Sequence, residues 1–320
     1  MRLFHYFCLL FCLSLLVACS KQTQPVFRVA TNVWPGYEPL YLARSLGWYE
    51  NSTLRLVEMP SASQVVHAFR NGTVEAAALT LDETLTLIQD GDVDLRIILV
   101  MDISNGADVL LGHANIPNLQ ALRGKRVAVE NTATGAVLLD AALQAAQLQA
   151  HEIKLVPKTV NDHLAAWKNG EIDAVVTFEP VRTAILNAGA VELFNSGQIP
   201  GRIMDVLVVR ADAIQGNETV LKQLVSSYFE ACDYLAHSPQ DASVRMGPRL
   251  GTAAEQVFAQ FKGLQLPSLT ENRKWLSVPD MQLINTAREL AQLMKEHQLL
   301  VGNVNLDALV DARFLPEALQ

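Results

Sequence analysis

Several segments of this chain carry hydroxyl and carboxylate side chains directly after an apolar run. Thr80-Leu81-Asp82-Glu83 follows one such run, and Thr177-Phe178-Glu179-Pro180 follows another. Asn32-Val33-Trp34-Pro35-Gly36-Tyr37-Glu38 adds two aromatics and an acid after a third, and Glu130-Asn131-Thr132-Ala133-Thr134-Gly135 adds an acid and two threonines after a fourth. Asp205 opens a later apolar run. These residue types suit non-covalent recognition. Carboxylates accept N–H donors and balance positive charge, and aromatic faces attract cations. The candidate ligand contacts are therefore Trp34, Tyr37, Glu38, Thr80, Asp82, Glu130, Thr132, Thr134, Phe178, Glu179 and Asp205. Each also has a plainer role, the threonines as helix caps and the acids as partners of helix dipoles. Catalytic signatures are missing: the sequence has no G-x-S-x-G, H-E-x-x-H or P-loop. Histidines 67, 113, 151, 163, 237 and 297 have no ligand spacing, and Asp90-Gly91-Asp92-Val93-Asp94 lacks the Gly and Glu that complete a calcium loop. No metal and no cofactor is expected.

The elements that position these residues alternate between strand and helix. Strands are expected at 27–31, 54–58, 74–79 and 95–101, with helices at 40–48, 61–69 and 81–89 between them. The scheme recurs with strands at 126–130, 153–156, 174–177 and 191–193 and helices at 133–147, 162–168 and 181–187. Such alternation calls for mostly parallel sheets flanked by helices, an α/β fold. In open sheets of this kind ligands sit beyond the C-terminal strand ends, which is where the residues above fall.

The recurrence is also literal. Asn71-Gly72-Thr73-Val74-Glu75-Ala76 returns 98 positions later as Asn169-Gly170-Glu171-Ile172-Asp173-Ala174, and Arg28-Val29-Ala30 returns at the same offset as Arg126-Val127-Ala128. Two similar lobes follow. The apolar runs 108–111 and 205–209 flank the second repeat and are read as strands crossing between lobes. That assigns 27–107 and 210–320 to a discontinuous first lobe and 108–209 to the second. The tail of the first lobe is expected to be helical at 220–236, 253–261 and 280–297.

The N-terminus reads as an export signal. Arg2 precedes an apolar stretch too short to span a bilayer, and Leu16-Val17-Ala18-Cys19 matches a bacterial lipobox. Residues 1–18 are then a signal peptide, Cys19 is acylated and anchors the chain to a membrane, and 19–26 form a tether; Ser20 favours the outer membrane in a Gram-negative cell. Cys232 is left as a lone thiol in an apolar helical setting. The net charge of −8, or −9 without Arg2, and the lack of a long basic run argue against nucleic-acid binding.

Trp34-Pro-Gly-Tyr-Glu-Pro-Leu-Tyr-Leu-Ala-Arg44, Leu122-Arg-Gly-Lys-Arg-Val-Ala-Val129 and Gly170-Glu-Ile-Asp-Ala174 with Glu179-Pro180 resemble landmarks of the nitrate/sulfonate/taurine and thiamine-precursor family of solute-binding proteins. The resemblance covers about residues 27–260. It implies a two-lobed periplasmic-binding-protein type II fold, a small-molecule ligand and delivery to an ABC permease, with a membrane receptor as the alternative partner. It also implies that the loops holding Trp34 to Glu38, Thr80, Thr132 to Gly135 and Phe178-Glu179 face the cleft. Enzymes of the same superfamily use a cysteine-rich signature and a pyridoxal-phosphate lysine; the cysteine cluster is missing here. A monomer is expected. The acids at 38, 82, 130, 179 and 205 favour a nitrogenous cation or zwitterion over an inorganic oxyanion.

Overall fold

The computed structural model describes residues 25–89, 91–277 and 280–318; the signal peptide and Cys19 lie outside them. The first repeat builds β1 (Phe27–Thr31), α1 (Glu38–Ser45), β2 (Leu54–Glu58), α2 (Ala62–Arg70), β3 (Ala76–Thr80), α3 (Leu81–Ile88) and β4 (Leu95–Ser104). The second builds β5 (Val109–His113), β6 (Arg126–Val129), α4 (Ala133–Ala145), β7 (Lys154–Pro157), α5 (Val160–Lys168), β8 (Ala174–Thr177), α6 (Val181–Asn187) and β9 (Ala190–Asn195). β10 (Met204–Arg210) leads into the tail: α7 (Glu218–His237), α8 (Pro239–Leu250), α9 (Val257–Gln260), β11 (Leu264–Gln265), α10 (Leu269–Leu276) and α11 (Gln282–Glu296). No described helix is long and apolar enough to cross a membrane.

Two sheets result, ordered β11-β4-β10-β3-β1-β2 and β7-β6-β8-β5-β9. The parallel pairs β1 with β2 and β3 have counterparts in β6 with β7 and β8. The runs expected to cross between lobes do not bridge the sheets. β10 lies antiparallel between β3 and β4, and β5 lies antiparallel between β8 and β9. Each time the chain changes lobe, the first strand it lays down runs against its neighbours, which makes both sheets mixed; the short β11, antiparallel to β4, adds a further reversed pair in the first. The crossings themselves are the short links between β4 and β5 and between β9 and β10.

The repeat has a physical basis at its strand starts. Arg28 donates through its backbone N–H, Nε and Nη2 to Glu75, at 2.6, 3.1 and 2.6 Å. Arg126 does the same to Asp173 at 2.7, 3.1 and 2.9 Å. In each lobe the fork-shaped guanidinium ties the start of the first strand to the residue leading into the third. The Asn-Gly pairs end the intervening helices, with Gly72 and Gly170 at φ +68° and +67°, where a Cβ would be strained.

The tail departs from expectation. The helix expected at 253–261 is present as a 3-10 turn (Ala254–Gln256) that runs into the single α turn α9, and α8 and α10 are additional. Pro239, Gly247 and Pro248 hid α8: Pro239 sits in its first turn, where a missing N–H costs nothing, and Pro248 near its end. α11 packs against α3, and Leu85, Leu138, Leu290 and Ala291 belong to one apolar cluster that runs from the first lobe into the second.

Candidate functional site

A cavity of about 40 Å³ lies between the lobes. Trp34, Tyr37, Thr80, Glu130, Thr132, Thr134, Phe178 and Asp205 line it, as do Asn32, Ala62, Glu83, Asp108, Gly135, His163 and Val176. Helix starts supply much of this wall. Ser61, Thr80 and Thr132 cap α2, α3 and α4 through side-chain oxygens, and at α3 Glu83 completes a reciprocal capping box.

The lobes meet on the cavity wall. Thr80 Oγ1 and Thr134 Oγ1 are 2.7 Å apart. The rings of Trp34 and Phe178 meet edge to face, with centroids 5.4 Å apart. Trp34 Nε1 donates to Asp102 at 3.1 Å, and the Tyr37 hydroxyl donates to Asp205. Asp102 and Asp205 stand opposite each other across β4 and β10. Gly36 makes this approach possible, since a Cβ there would fall 1.8 Å from Asp102 Oδ2.

Carboxyl groups dominate the electrostatics. Burial pushes Asp102 up to about 7 and Asp108 up to about 6. Burial, reinforced by the Asp102 charge, raises Asp205 well above the usual carboxylate range; burial and the Asp82 charge do the same for Glu83. Asp108 Oδ2 and Asp102 Oδ1 have no hydrogen-bond partner. No lysine or arginine lines the cavity. His163, the one basic side chain on the wall, is held neutral by burial, which lowers its pKa. Its Nε2 lies 3.1 Å from the Lys158 carbonyl, so that nitrogen carries the proton.

Three candidate contacts lie off this wall. Glu38 is paired with Arg249, which also reaches Glu58 at 2.6 Å and the Asn32 carbonyl at 2.9 Å and lies 3.5 Å over the Tyr41 ring. Its charge is used within the first lobe. Glu179 accepts from the Thr183 N–H and hydroxyl at 3.1 and 2.9 Å and serves the start of α6. Asp82 is fully buried behind the wall; burial pushes it up to about 6, and the nearby Thr80 and Thr134 hydroxyls offset only part of this. Asp108 was missed as a site residue. It occupies the link between β4 and β5, and the reasoning that selected Asp205 at the return crossing applies to it equally.

The NMT1-like family model matches residues 20–246. The chain belongs to the NMT1-like family. A candidate aliphatic sulfonates-binding protein of Escherichia coli K12 is 25% identical over 260 residues, spanning 81% of this chain and 79% of that one. The alkanesulfonate-binding protein SsuA of Xanthomonas axonopodis pv. citri, solved bound to MOPS, superposes with a TM-score of 0.74 at 17% identity over 89% of this chain and 97% of its own. An enzyme shares the architecture: a desulfurization enzyme superposes with a TM-score of 0.65 at 15% identity, over 91% of this NMT1-like chain and 98% of its own. The two-lobed periplasmic-binding fold expected of the chain is thus present.

Proposed function

We propose that this chain is a lipid-anchored extracytoplasmic solute-binding protein that captures a nitrogenous cation or zwitterion between its lobes and passes it to an ABC importer. One observation carries the ligand class: Glu83, Asp108, Glu130 and Asp205 share a small cavity wall with no lysine or arginine. A cation entering such a site removes a cost the empty site bears, and Trp34 and Phe178 offer aromatic surface for its apolar part. A dianion such as sulfate finds no lysine or arginine on this wall to balance its charge, and is repelled by whichever of these carboxyls are ionised. The sulfonate-binding relatives support the delivery role, and the MOPS found in one of them is itself an amine joined to a sulfonate.

Binding is favoured over catalysis by the fate of the one mature thiol. Burial pushes Cys232 up to about 12, which leaves essentially no thiolate to attack a substrate. Acylation of Cys19 would anchor the chain through the tether 19–26 to the first lobe, whose sheet takes its strands from 27–104 and from β10 and β11, while β5 to β9 (109–195) build the second; the boundary expected at 209 thus moves back to the link before β10. Replacing Cys19 with Ser should release the protein from membranes and abolish palmitate labelling.

Calorimetry on the purified protein tests the ligand class. Amines, betaines, aminosulfonates, pyrimidines, nitrate and sulfate are titrated in turn. Binding is expected for a nitrogenous compound, weakened by Trp34→Ala and Phe178→Ala. Micromolar binding of nitrate or sulfate would overturn the reading.

A further inference from the structure

Glu130 holds a position that its role as a wall residue does not require. Its Oε1 accepts from the Ser63 backbone N–H at 2.9 Å and from the Ser63 hydroxyl at 2.6 Å. Its Oε2 accepts from the Val160 N–H at 3.2 Å. Ser63 lies in the first turn of α2, in the first lobe, and Val160 opens α5, in the second. Two helix starts from opposite lobes thus converge on one carboxylate, which is only 5% exposed and lines the cavity. Unpaired first-turn N–H groups and the positive helix ends are the features with which proteins bind oxyanions. Here the chain's own anion takes those donors.

The same cavity wall holds a buried acceptor with no partner. Asp108 is likewise 5% exposed and lines the cavity, and its Oδ2 has no hydrogen-bond partner. Its backbone is fixed at both crossings, with its N–H on Ser104 Oγ at 3.2 Å and its carbonyl accepting from the Ser196 N–H at 2.9 Å.

We propose that Glu130 is a specificity-determining residue: seated on the starts of α2 and α5, it denies the cavity to oxyanions and leaves Asp108 as the acceptor for a positive ligand group. The proposal rests on the reading of this cavity as the ligand site and narrows that reading, because the recognised end of the ligand becomes the cationic one. A residue that merely capped one helix would not account for donors drawn from both lobes beside an unpaired carboxylate oxygen on the same wall.

The test is a gain of binding, so it needs no knowledge of the natural ligand. The full chain, purified in detergent, is titrated calorimetrically with sodium sulfate at constant ionic strength and pH 5.5, where the raised neighbours Asp82, Glu83, Asp102, Asp108 and Asp205 hold protons. Wild type should not bind sulfate. Glu130→Ala frees three donors and space, and should bind it at least about tenfold more tightly. Glu130→Gln, which still fills the space and still offers an acceptor, should not gain, and Ser63→Ala added to Glu130→Ala should reduce the gain. Circular dichroism checks folding, and Glu130→Ser replaces Glu130→Ala if the latter does not fold. A folded Glu130→Ala or Glu130→Ser protein that binds sulfate no better than wild type overturns the proposal, as does a wild type that binds it tightly. If no nitrogenous compound binds wild type while Glu130→Ala still gains sulfate, the ligand class proposed above fails and the role of Glu130 stands.

Discussion

The hydroxyl of Thr80 lies 2.7 Å from that of Thr134, and the two belong to opposite lobes. Thr80 is also the cap of α3, its oxygen accepting from the Glu83 N–H, whereas α4 is capped by Thr132 and Thr134 sits inside its first turn. One hydrogen bond therefore joins a residue that holds its own helix to one that does not. Thr80→Ala should cost roughly 1 kcal/mol in chemical denaturation through the lost cap, beyond its effect on the lobes. Thr134→Ala should cost no more than about 1 kcal/mol, but should raise the radius of gyration measured by small-angle scattering, because only the contact between lobes is lost. Equal effects from both variants on both measurements would contradict this division.

Arg249 and Glu38 form a buried pair whose removal should show in stability and not in binding. Even beside Arg249, burial pushes Glu38 up to about 7. Arg249→Ala strands this carboxyl along with the contacts to Glu58 and Tyr41, so a loss of about 3–5 kcal/mol in urea unfolding is expected. Glu38→Gln should be milder and should leave ligand affinity unchanged.

Replacing Gly36 with Ala should disturb the cavity. The new Cβ would meet Asp102 Oδ2 at 1.8 Å and Trp34 Nε1 at 2.7 Å, so the Trp34–Asp102 hydrogen bond cannot survive in place. A loss of about 1–3 kcal/mol is expected, with a change in tryptophan fluorescence. An unchanged spectrum and midpoint would show that the loop yields freely.

The acids predict an inverted pH dependence for the ligand-free protein. Asp82, Asp102 and Asp108 have folded values of about 6, 7 and 6, raised by burial above their ordinary value near 4. Between those limits the native state binds more protons than the unfolded chain. Stability contributed by their neutral forms is thus present below about pH 4 and lost as pH rises towards about 7. From pH 5 to pH 7.5 the melting temperature should fall by at least about 2 °C, the shift that roughly 1 kcal/mol produces in a domain of a few hundred residues. Asp102→Asn should flatten the profile, and bound cation should restore stability at the higher pH. A melting temperature that rises over this interval would contradict the picture.

Much of the site was legible because its placement is local. Thr80, Thr132 and Trp34 follow strands, and strand ends can be read from apolar runs and capping residues. Glu38 and Glu179 looked alike by the same rule, yet both are off the cavity wall. Their partners, Arg249 and Thr183, decide this, and Arg249 comes 211 residues after Glu38. Asp108 went unselected because a residue in a crossing link carries no periodic signal.

The sequence by itself determined the duplicated lobes, the order of most strands and helices, and the caps, since periodicity, Asn-Gly turns and first-turn hydroxyls act over a few residues. Only the tertiary structure decided that β5 and β10 run against their neighbours, that Arg249 removes Glu38 from the cleft, and that Glu130 takes donors from both lobes. Strand direction and charge pairing depend on which distant segments burial brings together, and the chain order does not encode that juxtaposition locally.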